Sequence, residues 1–305
     1  ITEHSFGKEK MSLISIREIL KDAQDRKYIV GYFEAWDYGS LNATVRAAEE
    51  MKSAIIIGFG GRSFETPVGW DEVKLASFAS AGKIMAQNSS VPTAFILNEV
   101  EDLGIIKKGI KLGFNSVMFD GSSLSLEENI KLTRKAVKEA AKIGIDVEGQ
   151  VGRIPSTGER IEKNFLTSPE EAAYFVEKTG VSALAISVGN IHMATDEESS
   201  IDLGLLEEIN RLTSVPLVMH GGTGFPDTLV KEVINRGVCK FNVGTILKEV
   251  FLREVKKTLE KIDLSKADFQ ELLGSNNQAD VFRKGYFAVK EVVKEKLKLY
   301  SSPMI

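Results

Sequence analysis

Pro216-Leu217-Val218-Met219-His220-Gly221-Gly222-Thr223-Gly224 is the stretch that decides the fold, read together with Cys239-Lys240-Phe241-Asn242-Val243-Gly244-Thr245 some fifteen residues on. An apolar run ends in a histidine and a glycine loop, an amphipathic segment covers 227–235, Gly237 stops it, and a second apolar run ends in Asn242. Several of the strand candidates along the chain, 216–219 among them, are apolar almost throughout, as a parallel strand covered on both faces requires; a half-exposed antiparallel strand would alternate. The unit is therefore strand, crossover helix, parallel strand.

Working outward, the same unit recurs along the chain. Strand candidates span 28–36, 54–59, 92–99, 116–120, 146–151, 183–189, 216–220 and 239–243, and helix-like stretches such as 41–51, 125–143, 169–179, 203–212 and 227–235 separate them. Gly144, Gly180 and Gly237 stand where helix stops are expected. Eight such units predict an α/β fold of the (β/α)₈ barrel type. A doubly wound open sheet is the alternative, and no Gly-x-Gly-x-x-Gly turn follows the first strand candidate to support it. An amphipathic helix over 14–24 precedes the barrel, and helical stretches over 248–262 and 269–299, broken at 274–278, follow it. The expected organisation is one barrel domain over 11–305, including a helical extension from about 248, behind an N-terminal tail of residues 1–10.

Composition narrows the function classes. The 305 residues carry 39 Lys+Arg against 43 Asp+Glu, a net charge of −4, which speaks against a large basic surface for nucleic acid. With 43% hydrophobic residues the chain can bury a sizeable core. No apolar stretch approaches the ~20 residues of a membrane span, so no membrane partner is expected. The single cysteine, Cys239, excludes an intrachain disulfide and suits a cytoplasmic protein; it lies in an apolar run and reads as a small buried hydrophobe.

In barrels of this kind the chemistry gathers at the carboxyl ends of the strands. Two of the three histidines, His192 and His220, fall at or just after strand ends, as do Asn98-Glu99, Asp120-Gly121-Ser122, Glu148 with Gln150, and Arg153 beyond. Two imidazoles and the carboxylate of Glu99 at one mouth would suit a divalent metal with an open position for substrate; histidines that merely hydrogen-bond in polar loops are the plainer alternative. Gly221-Gly222-Thr223-Gly224 before a helix, with Asn242 and Gly244-Thr245 on the neighbouring strand end, suits a phosphate held on backbone N–H groups, although glycines also build plain turns.

These residues resemble the class II, zinc-dependent fructose-bisphosphate aldolase family. The resemblance is carried by four blocks in order: Gly113-Phe114-Asn115-Ser116-Val117-Met118-Phe119-Asp120-Gly121-Ser122 with Glu127-Glu128-Asn129-Ile130; Thr179-Gly180-Val181 through Gly189-Asn190-Ile191-His192; Pro216 through Gly224; and Lys240 through Thr245. It implies a dimeric or tetrameric barrel enzyme of carbohydrate metabolism, as in glycolysis, a lyase that reversibly cleaves a ketose phosphate into dihydroxyacetone phosphate and an aldehyde. Carried over by residue, His192 and His220 match two of three zinc ligands. Gly221, Gly222, Thr223, Asn242, Gly244 and Thr245 fall in the phosphate-binding blocks, and Asp120 matches a polar residue supporting the site.

The third strand candidate departs from the family. A His-x-Asp-His pattern is replaced by Ile96-Leu97-Asn98-Glu99, so the acid/base carboxylate becomes Asn98 and the remaining zinc ligand becomes Glu99. An amide has no accessible pKa for proton transfer, and a glutamate ligand brings a charge that lowers the metal's Lewis acidity. Gln150 replaces a carboxylate, Met193 a glycine and Gly244 an aspartate, while Glu34 and Trp36 replace smaller polar groups.

The expectation is therefore a metal-dependent aldolase-type lyase of divergent specificity. Zinc would sit on Glu99, His192 and His220, catalytic positions would include Asn98, Glu99 and Glu148, and Glu148, Glu159 or Glu34 would replace the missing acid/base. A non-catalytic sugar-phosphate-binding or partner subunit of the same fold is the alternative from another class. A metal-free route through Arg153 or Lys240, the latter as a Schiff base, is the third.

Overall fold

The computed structural model describes residues 12–156, 158–159, 162–191, 200–275 and 277–301. The strands are β1 (Val30–Ala35), β2 (Ile55–Gly60), β3 (Glu65–Thr66), β4 (Gly69–Trp70), β5 (Thr93–Val100), β6 (Ser116–Phe119), β7 (Asp146–Val151), β8 (Ala183–Ile186), β9 (Leu217–Met219) and β10 (Val238–Val243). Eight of them close into a barrel in the order β1-β10-β9-β8-β7-β6-β5-β2, and every neighbouring pair is parallel. This is the expected (β/α)₈ barrel, and closure removes the open sheet. Between β2 and β5 the two-residue strands β3 and β4 form an antiparallel hairpin that hydrophobic periodicity does not announce, because segments this short carry no period.

Strand alternation sorts the barrel's contents. Val30, Tyr32, Ile56, Ala94, Ile96, Met118, Ala183, Ala185 and Val218 share one cluster with Ile16, Ile19, Leu20 and Ala23 of the helix Ile16–Arg26, which plugs the amino-terminal end. Ser15 starts that helix, accepting from Glu18 N in a capping box, so it begins two residues later than the amphipathic pattern alone suggests. Arg17 anchors the plug: its Nε lies 3.0 Å from Asp146 Oδ1, and Ser182 Oγ donates to the same oxygen at 2.7 Å.

Two residues further along the inward-facing positions, each strand presents a polar side chain: Glu34 after Tyr32, Asn98 after Ile96, His220 after Val218, Asn242 after Lys240 and Gln150 after Glu148. Sequence spacing thus sets a polar layer at the carboxyl-end mouth, above a layer that is apolar except for the Lys240–Glu148 pair. The opposite faces of the strands pack outward against the helices. On the outside, the helix Val281–Leu299 lies across Tyr38–Met51 and Thr245–Leu259, and Tyr286 Oη donates to Asp37 Oδ2, the N-cap of Tyr38–Met51, at 2.8 Å. The tail is helical at Phe269–Leu272 and again at Val281–Leu299; Asp280 starts the second helix by accepting from Phe282 N and Arg283 N. No helix among the described residues is long and apolar enough to cross a membrane.

Candidate active site

The carboxyl-end mouth opens into a cleft of about 620 Å³ whose walls include Tyr32, Glu34, Arg62, Asn98, Glu99, Asp120, Gln150, Arg153, Gly221, Thr223, Asn242, Gly244, Thr245 and Lys248. Glu99 reaches it because β5 bulges: its register with β6 shifts between Leu97 and Val100, and Glu99 has φ +51°. The extra residue breaks strict alternation, so Asn98 and Glu99 both face the cleft. A positive φ at a residue with a side chain costs on the order of 1–3 kcal/mol and persists where surrounding structure enforces it.

His220, fully buried at the end of β9, is the hub. Its Nδ1 lies 2.8 Å from Glu99 Oε1, while its Nε2 lies 3.4 Å from Glu148 Oε1 and 2.9 Å from Asn242 Nδ2. Glu148 is itself without exposure and accepts from Lys240 Nζ at 2.7 Å. Burial opposes charge on the imidazole, but the two carboxylates more than reverse this and hold its pKa up at about 9. Burial likewise penalises the Glu148 carboxylate, and Lys240 and His220 outweigh it, leaving its pKa below the usual carboxylate value.

Beside this chain lies a floor of polar atoms that meet no hydrogen-bond partner among the described residues: Tyr32 Oη, both amide atoms of Asn98, Gln150 Oε1 and Asn242 Oδ1. Buried polar atoms are nearly always satisfied, so a group of them lining one cleft marks a place built for a polar ligand. On the rim, Gly221 has φ +80°, and a Cβ there would strike the carbonyl oxygen of Ile191. Gly222 sits beneath, its N–H donating to Asn242 O at 3.0 Å. Thr223 Oγ1 accepts from Ile246 N at 3.3 Å, tying the loop to the start of the helix Thr245–Leu259. The N-cap of that helix is Gly244, which has no side chain to cap the first turn, so the positive end of the helix faces the cleft. The sequence reading gave this part to the helix after Gly224, but a 3₁₀ turn, Asp227–Leu229, and the six-residue helix Val230–Asn235 stand there. The long helix one strand on supplies the stronger dipole.

The structure thus brings together Asn98, Glu99, His220, Gly221, Thr223, Asn242, Gly244 and Thr245, with Asp120 on the same wall, its Oδ1 accepting from Ser122 N at 3.0 Å. His192 lies outside the described residues. Three residues read as reactive lie elsewhere. Glu148 and Lys240 are not among the cleft's lining residues and pair with each other behind His220, and Glu159 pairs with Arg153 Nη2 at 2.6 Å in an exposed loop. Cys239 is buried, and burial pushes its thiol up to about 12. Sequence reasoning missed Tyr32, Arg62 and Lys248. For Tyr32 the signal was available, since it precedes Glu34 by one full pleat; Lys248 follows Thr245 by three residues, hence one turn along the same helix face.

Glu99 and His220 are chemically suited to a divalent cation. An imidazole nitrogen and a carboxylate oxygen converge at the cleft wall, and a cation would take the place of the proton they now share. The remote nitrogen of His220 faces the Glu148 carboxylate, to which its N–H donates when Nδ1 is a ligand, the outer support that metal-ligating histidines require. Among the described residues no group of three or more potential ligands forms.

Comparison with known proteins agrees with the architecture. The family described as class-II fructose-bisphosphate aldolase matches residues 14–303. The sulfofructosephosphate aldolase of Alkalicoccus urumqiensis is 35% identical over 296 residues, covering 96% of this chain and 98% of that protein. Among solved structures, the YdjI aldolase of Escherichia coli K12 superposes with a TM-score of 0.78 at 31% identity, covering 95% of this chain and 98% of the other. The fructose-bisphosphate aldolase of Campylobacter jejuni, at 21% identity and a TM-score of 0.79 over 97% of each chain, shares the fold.

Proposed function

Because the chain belongs to the class II fructose-bisphosphate aldolase family and is an aldolase-type lyase, we propose that it cleaves a ketose phosphate reversibly into dihydroxyacetone phosphate and an aldehyde. The observation that carries this reading is the meeting, in one cleft, of the His220–Glu99 pair with Gly221, Thr223 and Thr245 of the glycine loop and uncapped helix start. In it, Gly221, Thr223 and Thr245 hold the phosphate through backbone and hydroxyl donors, with Gly222 and Gly244 keeping the approach open. Asn98, Asn242, Gln150 and Tyr32 hydrogen-bond the substrate's hydroxyls, using the polar atoms that meet no partner among the described residues.

A divalent cation, zinc by family membership, would be held by Glu99 and His220, with His192 as the remaining candidate ligand. When bound there it supplies Lewis acidity to the substrate's ketone oxygen. Glu148 acts through His220 and Lys240 as a positioning residue: it fixes the ring so that Nδ1 faces the cleft. Asp120 shapes the wall with Ser122. A homodimer or homotetramer working in the cytoplasm belongs to the same reading and rests on family membership alone.

The test is a panel of ketose phosphates given to protein incubated with zinc, with dihydroxyacetone phosphate measured by coupled reduction to glycerol phosphate. Release from at least one member is expected. Tight binding of a ketose phosphate without release from any would move the chain to the non-catalytic, sugar-phosphate-binding reading.

A further inference from the structure

Aldol cleavage requires an acid/base at the bond that breaks, and Asn98 cannot be one. Glu34 stands two strands away, across β2. On β1 it is paired in the ladder with Gly58 of β2, and its carboxyl leans over Gly60, whose ladder partner on β5 is Asn98. A Cβ added to Gly60 would lie 3.4 Å from the Glu34 carboxyl carbon, and one added to Gly244 would lie 3.3 Å from its Oε2. The two glycines therefore form a slot that the carboxyl fills, and a side chain at position 244 would crowd it. Oε1 accepts from Lys248 Nζ at 2.6 Å; Oε2 makes no hydrogen bond among the described residues, and the side chain keeps 20% of its surface toward the cleft.

Among the described residues, the other carboxylates near the mouth are placed differently. Glu99 holds His220, Glu148 is sealed behind it, Asp120 caps a turn, and Glu65 and Glu101 sit exposed on the outer rim. We propose that Glu34 is the catalytic acid/base of the carbon–carbon cleavage, taking over the proton transfer that Asn98 cannot perform. This rests on the aldolase reading.

In the cleavage direction the Glu34 carboxylate removes the proton from the hydroxyl on the carbon that becomes the aldehyde. The freed O–H pair becomes the carbonyl π bond, and the broken C–C pair stays on the dihydroxyacetone phosphate carbon, delocalised toward its ketone as an enediolate. That carbon then takes the proton back from Glu34. One proton moves twice, no oxidant or reductant enters, and the carboxylate is regenerated. Burial raises the Glu34 pKa, Lys248 opposes this, and Glu99 adds to it, with Arg62 opposing more weakly. Tyr32, also near it among the described residues, is held neutral by its own burial. Glu34 is thus biased toward holding a proton between the two steps.

The experiment uses dihydroxyacetone phosphate alone in D₂O with the zinc-incubated protein, following deuterium entry at the reacting carbon by NMR. No aldehyde need be known, because the carboxylate must remove that hydrogen in the synthetic direction. Glu34→Gln is expected to slow exchange by about 10³-fold, while dihydroxyacetone phosphate affinity changes by no more than about three-fold. Wild-type exchange should rise with pH along a limb above the usual carboxylate range, and Lys248→Met should move that limb to higher pH. Exchange by Glu34→Gln at the wild-type rate, or loss of dihydroxyacetone phosphate binding in that variant, overturns the assignment and leaves the aldolase reading standing. Absence of exchange in the wild type overturns both, so the two failures are distinguishable.

Discussion

Glu148 meets two partners from inside the barrel, Lys240 Nζ at 2.7 Å and His220 Nε2 at 3.4 Å, and water reaches none of the three side chains. Replacing it by Gln leaves the lysine charge buried without a counter-charge, which costs about 3–5 kcal/mol. Urea denaturation of Glu148→Gln is expected to show that loss; a loss under about 1 kcal/mol would mean that the lysine finds another partner. At this scale the sequence was partly legible. His220, Asn98 and Asn242 could be placed at the mouth because each follows an inward-facing residue by two. Glu99 was placed there only as a strand-end residue and by resemblance, because its orientation depends on a bulge and a φ of +51° that no periodic pattern announces. Nor could the sequence choose among Glu34, Glu148 and Glu159, because that choice turns on which carboxyl faces the cleft and which is shut behind a neighbour.

At the scale of elements, the loop after β9 is held by an exclusion rather than by a bond. Gly221 runs so close to Ile191 that any side chain would collide with its carbonyl oxygen, and φ +80° adds strain for any residue but glycine. Gly221→Ala is therefore expected to displace Thr223 from the start of the helix Thr245–Leu259. Affinity for dihydroxyacetone phosphate by calorimetry should fall at least ten-fold, about 1.4 kcal/mol or more. Unchanged affinity would place the phosphate elsewhere in the cleft. Helices with a clear capping residue were legible to within a few residues: Pro169–Thr179, capped by Ser168 and closed by Gly180 at φ +73°, matches the pattern end to end. The stretch 227–235 read as one helix but divides into a 3₁₀ turn and six helical residues, because Leu229 offers no side-chain cap where the α-helix begins.

At the scale of the molecule, eight strand–helix units made the barrel legible before any contact was known. Closure itself, with β1 beside β10, is a long-range register that local pattern does not carry. The barrel divides its work along its axis. The helix Ile16–Arg26 fills the amino-terminal end with apolar side chains, and the polar layer at the other end is left to face substrate. With proton transfer proposed on Glu34, the role that Asn98 cannot fill passes to another strand, while Glu99 and His220 remain the proposed cation ligands. On that cation site the catalytic reading depends. The most direct measurement is the metal content of purified protein after incubation with zinc and removal of the excess, beside His220→Ala and Glu99→Ala, each checked for folding by circular dichroism. About one zinc per chain in the wild type, lost in both folded variants, is the predicted result. A folded His220→Ala or Glu99→Ala protein that keeps a full complement, or a wild type that retains none, would contradict it.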